Sequence, residues 1–195
     1  VITMTGDVSD PAFAPAVVAR ATDEGRLDLL VSCAGILRFE HSHEVALESW
    51  QQIIDVNLTG TFLMCQAAIP ALLEQRGAIV NVASDAAKVP TPGETVIGAA
   101  MAAIVTFTRT LAVEAKRDGI RVNAVTPSLI EGTITGERVL VDGFSRKLFE
   151  KARAQAHLGP TGVDDLAELI AFLAGPGAAR ITGQVVSVNG GISVA

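Results

Sequence analysis

Residues 78–114 read AIVNVASDAAKVPTPGETVIGAAMAAIVTFTRTLAVE, and this stretch decides the fold of the chain. The apolar run Ala78–Val82 is typical of a buried parallel strand, and Ser84 follows it. A loop rich in proline and glycine continues to about Thr95, and a long apolar helix is predicted over residues 96–116. A serine between a parallel strand and the next helix lies where open α/β sheets bind ligands.

Strands and helices are predicted to alternate on both sides of this stretch. This alternation indicates a parallel sheet in a doubly wound α/β fold, with one domain spanning residues 1–195. Asp164 or Asp165 is expected to cap the last helix. The further predicted strands are 1–8, 27–32, 120–125 and Val185–Val188, and the further predicted helices are 11–23, 45–73 in two parts, 143–156 and 163–173.

The composition excludes several classes of function. Apolar residues make up 49% of the chain and charged residues 18%, which favours a globular protein. A net charge of −6 offers no basic surface for nucleic acid or anionic membrane, and no uninterrupted apolar stretch reaches transmembrane length. Two cysteines, Cys33 and Cys65, form no disulfide framework and favour a reducing cytoplasm. There is no tyrosine, so no phenol can serve as an acid or base.

Six short motifs resemble, in their order along the chain, those of the short-chain dehydrogenase/reductase family. The resemblance implies a Rossmann-like fold and remnants of a dinucleotide site at Asp7, which would contact adenine, and at Val8, Ala34, Gly35 and Pro127. The motifs are Gly6-Asp7-Val8, Ser32-Cys33-Ala34-Gly35, Asp55-Val56-Asn57-Leu58-Thr59-Gly60, Arg121–Pro127, Ile181-Thr182-Gly183-Gln184 and Asn189-Gly190-Gly191.

The catalytic residues that the resemblance implies are only half present. Ser84 and Asn57 match two members of the family's tetrad, so both are predicted as residual catalytic positions. The family's Tyr-x-x-x-Lys begins thirteen residues after the serine, and here that count falls on Ile97 and Met101. In the family the tyrosine moves the proton, while the lysine lowers its pKa and holds the nicotinamide ribose. Neither Ile97 nor Met101 can do this.

The resemblance also implies an N-terminal truncation. The glycine-rich loop that cradles pyrophosphate at a helix N-terminus has no counterpart, and roughly fifty residues of the family pattern would precede Val1. No bound cofactor is therefore expected, whereas NAD(P) is expected if such an N-terminus exists. The apolar strand 27–32 would become a sheet edge. Residues 1–5 could pair with it, a partner subunit could cover it, or the chain could begin upstream.

Ser84 and Asn57 have both a functional and a structural interpretation. They could form a polar pair that binds a substrate oxygen. Alternatively, Ser84 only ends a strand and Asn57 satisfies a carbonyl at a helix kink, and this structural interpretation is favoured.

Other candidate residues have weaker support. His41 and His43 are predicted in a loop at the carboxyl edge of the sheet, where solvated histidines are commoner than an acid–base. Cys33 is expected to be buried as a small hydrophobic residue rather than to act as a nucleophile. No His, Cys or Asp cluster has the spacing of a metal site, so no metal is expected. Three further charged residues could face the cleft: Asp85, Lys88 and Glu131.

Three hypotheses of function follow. The favoured one is a degenerate family member without redox activity of its own, acting as a non-catalytic subunit or scaffold. It would pair with itself or with an active relative through helices 45–73 and 96–116, the surface by which family members commonly associate. The second is a lyase, isomerase or cyclase that reuses the cleft with Ser84, Asn57 and a loop histidine. The third is an NAD(P)-dependent oxidoreductase whose cofactor-binding half is absent from this chain. Whether the protein is an enzyme stays open.

Overall fold

Four strands form one parallel sheet, which confirms the predicted α/β fold class. The structure, a computed structural model, describes residues 1–23, 25–141 and 143–195. The strands lie in the order β1-β2-β3-β4. Val80 at the centre of β2 pairs with Val31 on one side and Asn123 on the other. The strands are β1 (Leu29–Ser32), β2 (Ala78–Val82), β3 (Arg121–Pro127) and β4 (Val185–Val188).

All helices except the first connect consecutive parallel strands, and together the helices cover both faces of the sheet. Ile79 packs with residues of α3 and α4 on one face, while its neighbour Val80 packs with residues of α7 on the other. This alternation follows from the two-residue period of a strand, and it explains why β2 is apolar throughout. The helices are α1 (Phe13–Thr22), α2 (Leu47–Ile53), α3 (Gly60–Gln75), α4 (Thr95–Ala115), α5 (Ile134–Val139), α6 (Gly143–Gln155) and α7 (Val163–Ala174).

Helices α2 and α3 are joined by a π-helical turn, Ile54–Thr59. The sequence predicts a helix in two parts, and the structure places the break at Asn57. Two helical stretches, Leu47–Gln75 and Thr95–Asp118, are long and apolar enough to cross a membrane by length and composition alone. Core helices of α/β proteins pass the same test, and α3 and α4 both supply buried residues to the core beneath the sheet.

The predicted first strand, 1–8, is wrong. Residues 1–7 form no strand and are exposed, and they do not pair with β1. A strand needs a hydrogen-bonded neighbour, and among the described residues β1 pairs only with β2. The edge of β1 is therefore open, and Val31 is 37% exposed.

Other boundaries differ from the prediction by a few residues. β1 begins at Leu29 rather than at residue 27. Helix α5 was not predicted; it begins where the Thr133 hydroxyl accepts a hydrogen bond from the Gly136 N–H at 2.9 Å. The cap of α7 is Gly162, whose N–H donates to the Asp165 carboxylate at 2.7 Å. Asp165 thus stabilises the start of the helix from its first turn.

Candidate functional site

A cavity of about 530 Å³ opens at the carboxyl ends of β1, β2 and β3. Strand ends meet at one edge of a parallel sheet, so residues that are distant in the sequence converge there. The loop after β3 and helices α5 and α6 form the opposite wall. Of the sequence-predicted residues, the cavity brings together Cys33, Ala34, Gly35, Asn57, Ser84, Asp85, Ile97, Met101 and Pro127.

Ser84 lies directly after β2 and lines the cavity. Its backbone is extended, and its hydroxyl oxygen accepts a hydrogen bond from the Ala86 N–H at 3.2 Å. This contact starts the short 3₁₀ turn Asp85–Ala87. Accepting this bond leaves the hydroxyl proton available to a ligand. No general base is placed beside Ser84 among the hydrogen bonds of the described residues, so the structure gives no activated nucleophile.

Asn57 is buried, and its amide is occupied by the backbone. The Oδ1 atom accepts from the Ile36 N–H at 2.9 Å, while Nδ2 donates to the Ile36 and Ile53 carbonyls at 3.0 Å each. The Ile53 carbonyl lies where the π turn interrupts regular helical bonding. Both amide hydrogens are thus used to hold the loop after β1 against the π turn. The geometry therefore gives Asn57 a structural task, and its catalytic role stays a prediction.

Ile97 and Met101 lie one turn apart on α4 and are each 7% exposed. They pack in an apolar cluster with Ile53, Ala83 and Ile104. Neither side chain brings an ionisable group to the cavity. The face of α4 on which the resembled motif has its tyrosine and lysine is therefore hydrophobic in this protein.

Glu94 is the functional candidate that sequence reasoning missed. It occupies the N-cap position of α4, one turn before Ile97, without a capping hydrogen bond from its side chain, and it lines the cavity. Burial raises the pKa of Glu94 from 4.5 to about 7, and a hydrogen bond with Thr91 offsets part of that increase. A carboxyl group in this range can donate or accept a proton near neutral pH. The signal in the sequence was a lone carboxylate between Gly93 and a long apolar helix.

Asp85 and Lys88 belong to a buried polar network. The Asp85 carboxylate accepts hydrogen bonds from the hydroxyls of Ser187 at 3.1 Å and Ser193 at 2.9 Å, and from the Asn189 amide. The Lys88 ammonium lies 3.7 Å from the same carboxylate and donates to the Ser187 hydroxyl. The network ties the loop after β2 to the segment that follows β4. Asp85 reaches the cavity wall, but its oxygens are occupied.

The predicted cofactor residues lie in different places. Ala34, Gly35 and Pro127 line the main cavity, whereas Val8 lines a second cavity of about 300 Å³ beside β1 and packs against Gly60. Asp7 is exposed, and hydrogen bonds from the hydroxyl and N–H of Ser9 hold the pKa of its carboxyl below the usual value.

The residues present offer no polar side chain at the positions where the resembled motif holds the nicotinamide ribose. At the end that would hold the nicotinamide ribose, Ile97 and Met101 present apolar atoms only.

The candidates His41, His43 and Glu131 do not line the main cavity. His41 and His43 are exposed, with their rings stacked 5.9 Å apart, and neither lines the cavity. Glu131 forms an ion pair with Arg153 at 2.8 Å. Cys33 is exposed, so its interpretation as a buried hydrophobic residue is wrong. β1 ends at Ser32, and Cys33 follows in a loop that reaches both cavities. Desolvation still raises the pKa of its thiol, which disfavours the reactive thiolate.

Comparisons with known proteins agree with the motifs and the fold. The family model described as enoyl-(acyl carrier protein) reductase matches residues 1–193. The inactive 2-(S)-hydroxypropyl-CoM dehydrogenase 2 of Xanthobacter autotrophicus is 40% identical over 190 residues, which cover 96% of this chain and 83% of that protein. The (3R)-3-hydroxyacyl-CoA dehydrogenase of Rattus norvegicus is 39% identical over 167 residues, which cover 84% of this chain and 62% of that protein.

The structural comparison gives the same result. The solved structure of ElxO with NADP bound superposes with a TM-score of 0.84 at 28% identity, covering 97% of this chain and 77% of that one. The chain therefore spans between about three fifths and four fifths of the length of the proteins it matches. The family model, the relatives and the six motifs show that this protein belongs to the short-chain dehydrogenase/reductase family.

Proposed function

We propose that this chain has no NAD(P)-dependent redox activity of its own and acts as a non-catalytic subunit or scaffold in a homo-oligomer, or in a hetero-oligomer with an active relative. The observation that carries the proposal is the apolar pair Ile97 and Met101, buried where the family motif has tyrosine and lysine. No cofactor is bound by the chain alone under this proposal, and its compartment is the cytoplasm.

The remaining polar groups do not replace the lost proton transfer. General acid–base catalysis is typically worth ~10²–10⁴ in rate. Ser84 has no base beside it, and the Asn57 amide is engaged by Ile36 and Ile53. The 40% identical relative from Xanthobacter autotrophicus is itself named inactive. The other relatives carry the names of active dehydrogenases, so the proposal depends on residues 97 and 101 rather than on the family.

The partner surface is proposed on the two long helices. Phe62 of α3 stacks on Phe107 of α4 with ring centroids 4.2 Å apart, so the two helices present one shared face. Phe62 is 36% exposed, and Val113, further along α4, is 60% exposed. Apolar side chains exposed on adjacent helices are typical of surfaces that a second subunit covers.

Cofactor titration and measurement of mass in solution test the two halves of the proposal. We expect no saturable NADH or NADPH binding by calorimetry at micromolar cofactor, and an oligomer by light scattering. Phe62→Asp combined with Val113→Asp should shift the oligomer to monomer. Ile134→Asp, at an exposed apolar position on α5, is the control and should leave the mass unchanged. Micromolar cofactor binding with turnover would contradict the first half, and a monomeric native protein would contradict the second.

A non-redox enzyme is the second candidate, and Glu94 is the observation that favours it. Glu94 and Ser84 line the same cavity, whereas the loop histidines His41 and His43 do not. An acid with a pKa near 7 in an apolar cavity suits proton transfer in a lyase or isomerase. Turnover of a metabolite mixture that is lost in Glu94→Gln, without any cofactor, would favour this candidate over the scaffold.

A further inference from the structure

We infer that residues 189–193, called the strap from here on, are a wall of the main cavity that is held closed by a latch. The Asp85 carboxylate holds the strap, and the strap in turn holds the end of α6, so that release of the latch loosens the α6 side of the cavity. Ile192 and Ser193 of the strap line the cavity directly. This conformational device does not depend on the scaffold role.

The strap is a compact turn that can move as one unit. The Asn189 Oδ1 atom accepts a hydrogen bond from the Gly191 N–H at 3.0 Å, and Nδ2 donates to the Ser193 hydroxyl at 3.0 Å and to the Ser193 carbonyl at 3.2 Å. The Ile192 N–H donates to the Asn189 carbonyl at 3.2 Å. Because all these bonds lie within five residues, the strap can be displaced without losing them.

One side of the strap is attached to Asp85. The Asn189 amide donates to the Asp85 carboxylate, and the Ser193 hydroxyl donates to the same oxygen at 2.9 Å. Asn189 is 5% exposed, so its bond is shielded from water. Hydrogen bonds to an ionised acceptor in such surroundings are stronger than those between neutral groups. Asp85 therefore latches the strap to the loop after β2.

The other side of the strap is attached to the end of α6. The Leu158 N–H donates to the Gly190 carbonyl at 3.0 Å. Gly190 also packs directly against the chain after α6, since a Cβ atom there would lie 2.0 Å from the Gly159 carbonyl oxygen. The strap thus bridges the loop after β2 and the α6 wall of the cavity. The α6 residues in that wall are Leu148, Phe149, Lys151, Ala152 and Gln155.

The latch requires an amide at position 189 opposite the carboxylate. Asparagine donates a hydrogen bond that an ionised aspartate cannot. A carboxylate at position 189 would lie within hydrogen-bond distance of the Asp85 carboxylate, and two like charges so close repel each other. Lys88 and Ser187 contact the other carboxylate oxygen of Asp85, Oδ1. Asn189→Asp therefore breaks the contact with the strap at its own oxygen.

Hydrogen exchange of Asn189→Asp tests the latch. At about pH 7.5 the amides of Gly191, Ile192 and Leu158 should exchange at least about tenfold faster than in the native protein, because both segments lose the same attachment. The amides of β2 are the internal reference and should be unchanged. Gln184→Glu adds the same charge at an exposed position before β4, so it is the control and should leave all these amides unchanged.

Exchanging the two groups separates the latch from a general loss of stability. Asp85→Asn combined with Asn189→Asp puts the amide and the carboxylate in each other's places, so a hydrogen bond between them can form again. Exchange in this double variant should return to within about threefold of the native rate. Ser193→Ala removes one of the two bonds to Asp85 and should accelerate exchange less than Asn189→Asp does.

Four results would overturn the inference. Asn189→Asp could leave all three amides unchanged, it could release Gly191 and Ile192 while Leu158 stays protected, or it could accelerate β2 equally. The double variant could also exchange as fast as Asn189→Asp alone. Each of these results is independent of NAD(P)H binding and of the mass of the oligomer, so the scaffold proposal is tested separately.

Discussion

At the scale of single residues, the proposal that this chain has no redox activity of its own depends on the apolar side chains at positions 97 and 101. Met101 packs beside Ile97 in an apolar cluster, so a lone lysine there would carry a charge with no partner. Replacing both members of a polar pair by apolar residues can be neutral or stabilising, whereas removing only one is costly. Because Ile97 and Met101 are both apolar, they form a packed hydrophobic surface that contains no unpaired charge.

Glu94 should make the stability of the protein depend on pH. Because burial raises its pKa in the folded state to about 7, from 4.5, the folded protein binds this proton more tightly than the unfolded chain. The contribution is most favourable below pH 4.5 and is lost as the pH rises to about 7. Glu94→Gln should therefore raise the free energy of unfolding by about 1–3 kcal/mol at about pH 8 and change it little at about pH 5.

Urea denaturation at both pH values measures this effect. Glu114→Gln is the control, because that carboxylate is exposed on the same helix. Equal stabilisation by Glu94→Gln at both pH values would show that the carboxyl is not desolvated in the folded protein.

At the scale of elements, the π turn between α2 and α3 depends on the loop that follows β1. Asn57 bridges them through three hydrogen bonds to backbone groups of Ile36 and Ile53. Gly35 makes room for this bridge, because a Cβ atom at that position would lie 2.6 Å from the Asn57 Oδ1 atom. The Asn57 side chain thus holds the loop after β1 against the π turn between α2 and α3.

Gly35→Ala should break this connection. The added methyl group forces the Asn57 amide away from Ile36, and the loss of buried hydrogen bonds should cost about 1–3 kcal/mol of unfolding free energy. Gly25→Ala is a matched control, because a Cβ there meets nothing within 4 Å and should change the stability little. Denaturant unfolding compares the two variants, and equal effects of both would mean that the Asn57 contact does not limit stability.

At the scale of the whole molecule, the buried Asp85 network links segments about a hundred residues apart. Ser187, Asn189 and Ser193 bring the end of β4 to the loop after β2, beside the cavity. The segment after β4 is held at the site by these side chains as well as by β4 itself. The polar network and the apolar cavity are therefore neighbouring parts of one sheet edge.

Asp85→Ala should loosen this edge and destabilise the fold. It leaves the largely buried Lys88 ammonium, whose side chain is 15% exposed, without a counter-charge, and breaking a buried pair costs about 3–5 kcal/mol. Asp28→Ala removes a carboxylate from an exposed pair with Arg26 and should cost less than about 1 kcal/mol. Hydrogen exchange of residues 189–193 and urea unfolding measure both effects. Unchanged exchange in Asp85→Ala would show that the backbone alone holds this segment.

The sequence predicted most elements because their signals are local. The apolar run Ala78–Val82 and the strand Val185–Val188 were predicted with the bounds that the structure shows, and the long helix 96–116 begins one residue earlier. Strand 1–8 had the right residue types, but a strand also needs a hydrogen-bonded neighbour, which none of the described residues provides. Helix α5 is only six residues long, too short for its period to be recognised.

The sequence by itself determined the fold class, the family motifs and the apolar residues at positions 97 and 101, because these depend on residue type and spacing. Only the tertiary structure decided that Asn57 serves the backbone, that the Asp85 carboxylate accepts hydrogen bonds from residues in and after β4, and that Glu94 lines an apolar cavity. The physical reason is that hydrogen-bond partners and desolvation depend on distant segments that meet only in the folded chain.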